Sequence, residues 1–368
     1  MSDPYFYKNI LWLDLETFST IPIKTAGSYR YAENSEILLW AWALNDSEVC
    51  VWDICQNSEI PEKLIKDLRA ADTIGWHNGN FFDRRVILHS EYADLIKGKK
   101  YFDTMVQAYM HGLPGGLELL SSIFSLSEKE AKKKEGRRLI QLFCKPLPEN
   151  QKLYRATFKT HPDEWNEFID YARHDIIAMR KLHKLMPKWN LTATEYELQQ
   201  FNLRMNDKGI PIDTGFCEKA LVMAENAKNR RDSKIIEMTD GEVQAATQRD
   251  KLLKYICEIW GVDLPDMQKA TLERRLNDEN LPEELKEIIA LRLESAANNT
   301  RKYQSFLNMV CQDGRVHGAI QFRGAFRTGR DAARLVQPQN MIKPGMKWED
   351  IESGIDAIKK GYYDLVCG

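Results

Sequence analysis

Ile10-Leu11-Trp12-Leu13-Asp14-Leu15-Glu16-Thr17 is a short apolar run that ends in two carboxylates. Ile10–Leu15 reads as a buried strand. Side chains alternate across a strand, so Asp14 and Glu16 share a face while Leu15 points away. Neighbouring carboxylates repel and are costly unless a Lys, an Arg or a divalent ion sits between them. On its own, D-x-E is more often a solvated strand end than a metal site.

Working outward, Ile37–Leu44 and Val49–Trp52 read as the next strands, joined by the polar turn Asn45-Asp46-Ser47. Helical spacing follows at Pro61–Ala70, then short strands at Thr73–His77 and Lys100–Asp103. Strands followed by helices predict an α/β sheet covered by helices. From Pro162, a good helix start with Asp163 and Glu164 behind it, the residues Trp165, Phe168, Ile169, Ala172, Ile176 and Met179 form one helical face. After about Pro187 strand signals almost vanish. Thr192–Lys208, Thr214–Met238, Arg249–Trp260 and Glu283–Val310 read as helices, and strand character returns at Arg315–Phe322. The pattern predicts three domains, at 1–187, 188–310 and 311–368. A chain of 368 residues is also long for one hydrophobic core.

Lys plus Arg is 52 against 54 Asp plus Glu, so a nucleic-acid surface has to be local rather than global. Seven Cys without a C-x-x-C pair suit a reducing cytoplasm. No apolar run reaches the roughly 18 residues a membrane span needs. The start MSDPYFYKN has neither the basic nor the apolar part of a signal peptide. The expected location is the cytoplasm of a bacterial or phage-infected cell.

Two more carboxylates join the first pair. His77-Asn78-Gly79-Asn80-Phe81-Phe82-Asp83 places Asp83 at a strand-to-helix junction, where active sites of open α/β sheets gather. Asp83 also suits a plain helix N-terminus. Tyr171-Ala172-Arg173-His174-Asp175 lies on the Pro162 helix, where residues four apart share a face, so Tyr171 and Asp175 reach the same place.

Taken in order, D-x-E-T, H-N-x-x-F-D and Y-x-x-x-D resemble the DEDD exonuclease superfamily, in the subtype with Tyr in its last motif. The resemblance implies an RNase H-like domain, a mixed sheet flanked by helices, and two divalent ions, Mg²⁺ or Mn²⁺, which prefer carboxylate oxygens. It implies that Asp14, Glu16 and Asp175 hold one ion, that Asp14 bridges to the second, and that Asp83 supports the second largely through water. One ion would activate water and the other would stabilise the departing 3′ oxygen, with Tyr171 orienting the water. Leu15, Thr17, His77, Asn78 and Phe82 match positions near the terminal nucleotide, and Phe82 suits base stacking as well as it suits a core.

The string Lys132-Lys133-Lys134-Glu135-Gly136-Arg137-Arg138 precedes Leu139-Ile140-Gln141-Leu142-Phe143-Cys144-Lys145-Pro146. A charge run is more often a solvated face than a strand path. With His161-Pro162-Asp163 and Trp165, however, this string is similar to an exonuclease insertion in family A DNA polymerases of bacteriophage type. Helix–Gly209-Ile210-Pro211-Ile212-Asp213–helix looks like the start of the family's thumb, and Gly241–Leu253 presents Gln, Thr, Arg and Lys as a duplex-gripping tip would. Arg315 to Arg334 holds five Arg and one Asp with apolar residues between them. Arg327-Thr328-Gly329-Arg330 followed by Gln339-Asn340 resembles the segment that begins the family's α+β palm and touches the primer strand. Only 28 residues follow Asn340, without the palm carboxylates or the finger helix. The expectation is an exonuclease that binds single-stranded 3′ ends and primer–template duplex but adds no nucleotides by itself. A separate palm-and-fingers chain is the implied partner for extension, and no membrane is expected.

Overall fold

The structure is a computed structural model, described for residues 8–127, 136–150, 153–295, 300–341 and 345–362. In chain order its first elements are β1 (Ile10–Ser19), α1 (Ile23–Ala32), β2 (Ser35–Leu44), β3 (Cys50–Asp53), α2 (Glu62–Ala70) and β4 (Thr73–Trp76). Next come α3 (Asp83–Leu88), β5 (Lys100–Asp103), α4 (Thr104–Met110), α5 (Leu117–Ile123), α6 (Gly136–Phe143), α7 (Pro162–Leu185), α8 (Ala193–Lys208) and β6 (Ile210–Pro211). Then follow α9 (Thr214–Met238), α10 (Arg249–Trp260), α11 (Lys269–Leu276), α12 (Glu283–Glu294) and α13 (Arg301–Met309). The last are β7 (Arg315–Val316), β8 (Ile320–Ala325), β9 (Arg330–Ala333) and α14 (Trp348–Lys360).

The chain divides into two compact units, residues 1–212 with 308–341 and residues 213–307 with 342–368. Segment 308–341 thus belongs with the first unit and segment 342–368 with the second.

The first unit is built on a mixed five-stranded sheet in the order β3-β2-β1-β4-β5. β1 is central, antiparallel to β2 and parallel to β4. Its alternation splits two cores. Leu11, Leu13 and Leu15 pack with Leu64, Leu68, Val86 and Ile87 of α2 and α3. Trp12 points the other way, into a core with Phe168, Ile176 and Met179 of α7. The same alternation carries Asp14 and Glu16 to the α7 side. α7 follows its expected start, with Pro162 in the first turn ahead of Asp163 and Glu164. It buries Trp165, Phe168, Tyr171, Ala172, Asp175, Ile176, Met179 and Leu182, one stripe at helical spacing.

Segment 308–341 adds two small sheets. β6 pairs with β7, and β8 pairs with β9. Phe322 of β8 packs on Val106 and Met110 of α4. The continuous strand expected over Arg315–Phe322 is broken at His317-Gly318. Gly318 has φ +64° and a Cβ there would stand 2.7 Å from the Tyr29 ring, which stacks on His317. The close ring passage turns the chain.

The second unit is helical. Ile235 of α9, Leu252 and Ile256 of α10, Leu272 of α11 and Leu285, Ile288 and Ile289 of α12 share one core. The helix expected over Glu283–Val310 is two helices, α12 and α13, with residues 296–299 outside the described ones. Among the described residues no helix is long and apolar enough to cross a membrane.

Candidate metal centre

Asp14 and Glu16 come from the central strand, Asp175 from α7. One carboxylate oxygen from each lies within 4.8 Å of the others. Glu16 and Asp175 are buried and Asp14 is half-buried. Three negative charges drawn together in a largely buried place repel strongly. An all-oxygen donor set of this kind fits a hard divalent cation, which would offset that repulsion.

Asp83, the first residue of α3, is 3% exposed, and its Oδ1 accepts the Leu15 backbone N–H at 2.9 Å. Burial pushes its carboxyl from 3.8 up to about 7; the hydrogen bonds from Leu15 and from its own N–H oppose this, while the charges of Asp103 and Asp175 add to it. Asp83 therefore faces the same negative field without being one of the three clustered carboxylates.

Tyr171 is 1% exposed on α7, one turn before Asp175, and hydrogen-bonds to it. Burial first, then the charges of Asp175, Glu16 and Asp14, raise its phenol far above the usual tyrosine range. The hydroxyl therefore stays protonated at any physiological pH, and is a donor and an acceptor at the edge of the carboxylate cluster.

The expected nucleotide-contact residues have definite local roles. Leu15 packs into the α2/α3 core while its N–H fixes Asp83. Thr17 is buried, with Oγ1 2.8 Å from the Tyr31 hydroxyl. The half-buried Phe82 ring lies 5.5 Å from Tyr31. His77 braces the site: Nδ1 meets Thr104 Oγ1 at 2.8 Å, and Nε2 meets the Gly115 carbonyl at 2.8 Å. A carbonyl only accepts, so Nε2 is the donor there. Asn78 sits at φ +64° and donates its N–H to Asp103 Oδ1 at 2.9 Å. Its own Oδ1 is buried without a hydrogen-bond partner.

Three residues outside the carboxylate motifs shape the centre. Asp103 is 1% exposed and takes the N–H groups of Asn78, Asn80 and Met105 at 2.9–3.1 Å, pinning the 78–80 turn. Burial pushes its carboxyl up to about 6 against those hydrogen bonds. Cys144, just after α6, has Sγ 3.9 Å from Glu16 Oε2. Burial and the Glu16 charge drive its thiol upward, so it stays neutral beside the carboxylate. Gly136 touches the Tyr171 ring. Asp103-Thr104 at the end of β5 carries a readable signal of its own, as an N-cap: the Asp103 side chain accepts from Met105 at the start of α4, whereas Gly136 and Cys144 are part of the string similar to an exonuclease insertion, which gives neither an individual role.

The arginine-rich segment behaves unevenly. Arg315 donates Nε to the Lys208 carbonyl at 2.6 Å and Nη2 to that of Gly209 at 3.1 Å. Arg323 pairs with Glu195 and donates to the Gly329 carbonyl at 2.6 Å. These two arginines hold the fold together instead of facing outward. Arg327 and Arg330 are exposed on the β8–β9 hairpin, Arg327 over the Phe326 ring. Thr328 is exposed and donates to the Ala325 carbonyl at 3.2 Å. Gln339 and Asn340 are exposed in a short turn, where Asn340 donates to Gln337 at 2.8 Å. The basic run expected at Lys132–Glu135 lies outside the described residues. Arg137 and Arg138, next to it, pair with Glu118 and Glu167.

No family model matches the chain. Over 362 residues, 97% of its length, the chain is 30% identical to a DNA polymerase of Bacillus phage SP02. It spans about half of that relative, 54%. Among solved structures it is similar to the POL domain of Pol1 from M. smegmatis in complex with DNA primer-template and dNTP. The TM-score is 0.57 at 14% identity, over 90% of this chain and 53% of that one, a likeness of fold. The resemblance to phage-type polymerases read from the sequence is thereby borne out, and so is the mixed sheet flanked by helices.

Proposed function

We propose that this chain, similar over nearly its whole length to a phage DNA polymerase, carries a 3′→5′ exonuclease of the proofreading type that depends on two divalent ions. The observation that carries the reading is the meeting of Asp14, Glu16 and Asp175 within 4.8 Å, with the neutral Tyr171 hydroxyl bonded to Asp175. The strand order β3-β2-β1-β4-β5, with its first three strands antiparallel and its last two parallel to β1 and β4, supports an RNase H-like domain.

Asp14, Glu16 and Asp175 would hold one ion, with Asp14 shared and Asp83 supporting the second. When bound, Mg²⁺ or Mn²⁺ supplies Lewis-acid activation of water and neutralises charge developing on the phosphate and the departing oxygen. The chain's own residues do the rest. Tyr171 stays protonated and orients water toward the terminal phosphorus by its hydroxyl. Water adds there, the bond to the penultimate 3′ oxygen breaks, that oxygen takes a proton, and a nucleoside 5′-monophosphate leaves. Asp103 holds the 78–80 turn, and His77 braces it, so that Asn78 and Phe82 can meet the terminal nucleotide.

A second reading concerns segment 308–341. The exposed Arg327 and Arg330, with Thr328, Gln339 and Asn340 nearby in sequence, suit phosphate and sugar contacts on a primer–template duplex. Since the relative is about twice as long, nucleotide addition would need palm and finger elements beyond these 368 residues, supplied in the same or a separate chain.

The test is digestion of 3′-extended, 5′-labelled single-stranded DNA with Mg²⁺, with Mn²⁺ and with chelator. Stepwise shortening that needs the metal is expected. Asp14→Ala should lower the rate by at least ~10³-fold, since a lost ligand removes several kcal/mol of transition-state stabilisation. An Asp14→Ala chain as active as the unmodified one would end the assignment.

A further inference from the structure

We infer that Gly136 is a positioning residue for Tyr171: having no side chain, it leaves room for the phenol ring to keep its hydroxyl among the three carboxylates. The inference deepens the exonuclease reading and rests on it for its kinetic part, while the contact itself stands on geometry.

Gly136 is buried at the first position of α6. A Cβ placed there would lie 2.1 Å from Cε2, 2.7 Å from Cζ and 2.9 Å from Cδ2 of Tyr171. These atoms form the edge of the ring next to the hydroxyl. Real Cβ atoms essentially never come within 3.0 Å of a neighbour, so one partner must move. Gly136 opens a helix, and glycine is the poorest helix former after proline, so helix formation gives no reason for glycine here. What the position needs is space.

Neither partner can yield cheaply. The Tyr171 ring is stacked on Phe168, with centroids 6.3 Å apart and planes 6° from parallel. Phe168 is in turn stacked on Phe143 at 5.1 Å and set against Trp165 at 5.7 Å. The ring is 1% exposed and held on one face by this stack, so a methyl at position 136 would swing it about its side-chain torsions, off its place beside Asp175. α6 is fixed as well. Leu139 and Phe143 are buried in the α7-side core, and beyond the helix the Cys144 carbonyl accepts the Ser19 N–H at 3.2 Å. Cys144 also lies against Glu16. One short helix thus touches the tyrosine at its start and the metal-facing glutamate just after its end.

The test uses Gly136→Ala, Tyr171→Leu, Tyr171→Phe and the doubles, each in the full chain. The first readout is thermal unfolding in chelator, which needs no activity. Gly136→Ala should lower the melting temperature in the original background and lose that effect in the Tyr171→Leu background, because the ring it strikes is gone. If Gly136→Ala fails to fold, a folded Gly136→Ala/Tyr171→Leu chain supports the contact, and an unfolded one overturns it. Equal melting shifts in both backgrounds, or none in either, overturn it too. The second readout is kcat and KM on single-stranded DNA. A roughly 10- to 100-fold fall in kcat with little change in KM is expected from an angstrom-scale misplacement. In the Tyr171→Phe background, where the hydroxyl is already missing, Gly136→Ala should cost little more. Additive losses overturn the positioning role. Melting coupling in a chain with no exonuclease activity on any strand would overturn that role together with the exonuclease reading, and would leave the packing contact standing.

Discussion

Without divalent ions, Asp83→Asn should make the first unit more stable at alkaline pH and leave it nearly unchanged at acid pH. Asp83 is 3% exposed, and burial raises its carboxyl from 3.8 to about 7. The folded chain therefore binds this proton more tightly than the unfolded chain does. Stability from this group is complete below about pH 4, falls as pH rises through the 4–7 window, and stays low above it. Three decades of proton affinity correspond to a cost on the order of 4 kcal/mol at pH 8. Asparagine has no such titration and keeps an acceptor oxygen for the Leu15 N–H. The assay is thermal or urea unfolding of both chains in chelator at pH 4.5 and pH 8. The variant should melt roughly 5–15 °C higher at pH 8 and within a few degrees of the parent at pH 4.5. Added Mg²⁺ should stabilise the parent more than the variant, because the variant has lost a charge that faces the centre. A variant less stable than the parent at pH 8 in chelator would refute the argument that Asp83 is held ionised against its surroundings.

Tyr171→Phe should keep Mn²⁺ affinity within a few-fold while slowing hydrolysis, because the phenol stays neutral and is not one of the three clustered carboxylates; titration calorimetry and single-turnover trimming check the two halves. For duplex binding, Arg327→Ala with Arg330→Ala should flatten the salt dependence by roughly 1.8 in log–log slope, two phosphates at about 0.9 each. Arg315→Ala should instead lower the melting temperature and leave that slope unchanged, because its guanidinium is spent on the Lys208 and Gly209 carbonyls.

How far the sequence spoke depended on whether a residue's role is local. β1 was readable as a continuous apolar run, and α7 because its buried residues recur every three to four positions along Trp165–Met179. Asp14, Glu16 and Asp175 were readable because side chains alternate along a strand and return every three to four residues along a helix, so the facing of each follows from its element. The arginines of 315–334 were visible as charge, but charge density does not say who the partner is. Arg315 and Arg323 are held by Lys208, Gly209 and Glu195, more than a hundred residues earlier in the chain, and no local pattern announces such a pairing. The break at His317-Gly318 was hidden in the same way, because it answers to Tyr29.

Gly136 marks the limit most clearly. In sequence it is a glycine in a basic run, which reads as a solvated face or as part of a stretch similar to an exonuclease insertion, and neither reading says what the glycine touches. Its meaning comes from an aromatic ring 35 positions later, brought within 2.1 Å of where its Cβ would be. A carboxylate site can be read from alternation because ligands must point the same way. What keeps a catalytic hydroxyl in place is often an atom that is missing, and a missing atom has no periodicity. The D-x-E and Y-x-x-x-D motifs therefore fix which groups meet, whereas the precision of their meeting depends on Asp103, Cys144 and Gly136. Those residues become legible only when the packing is known.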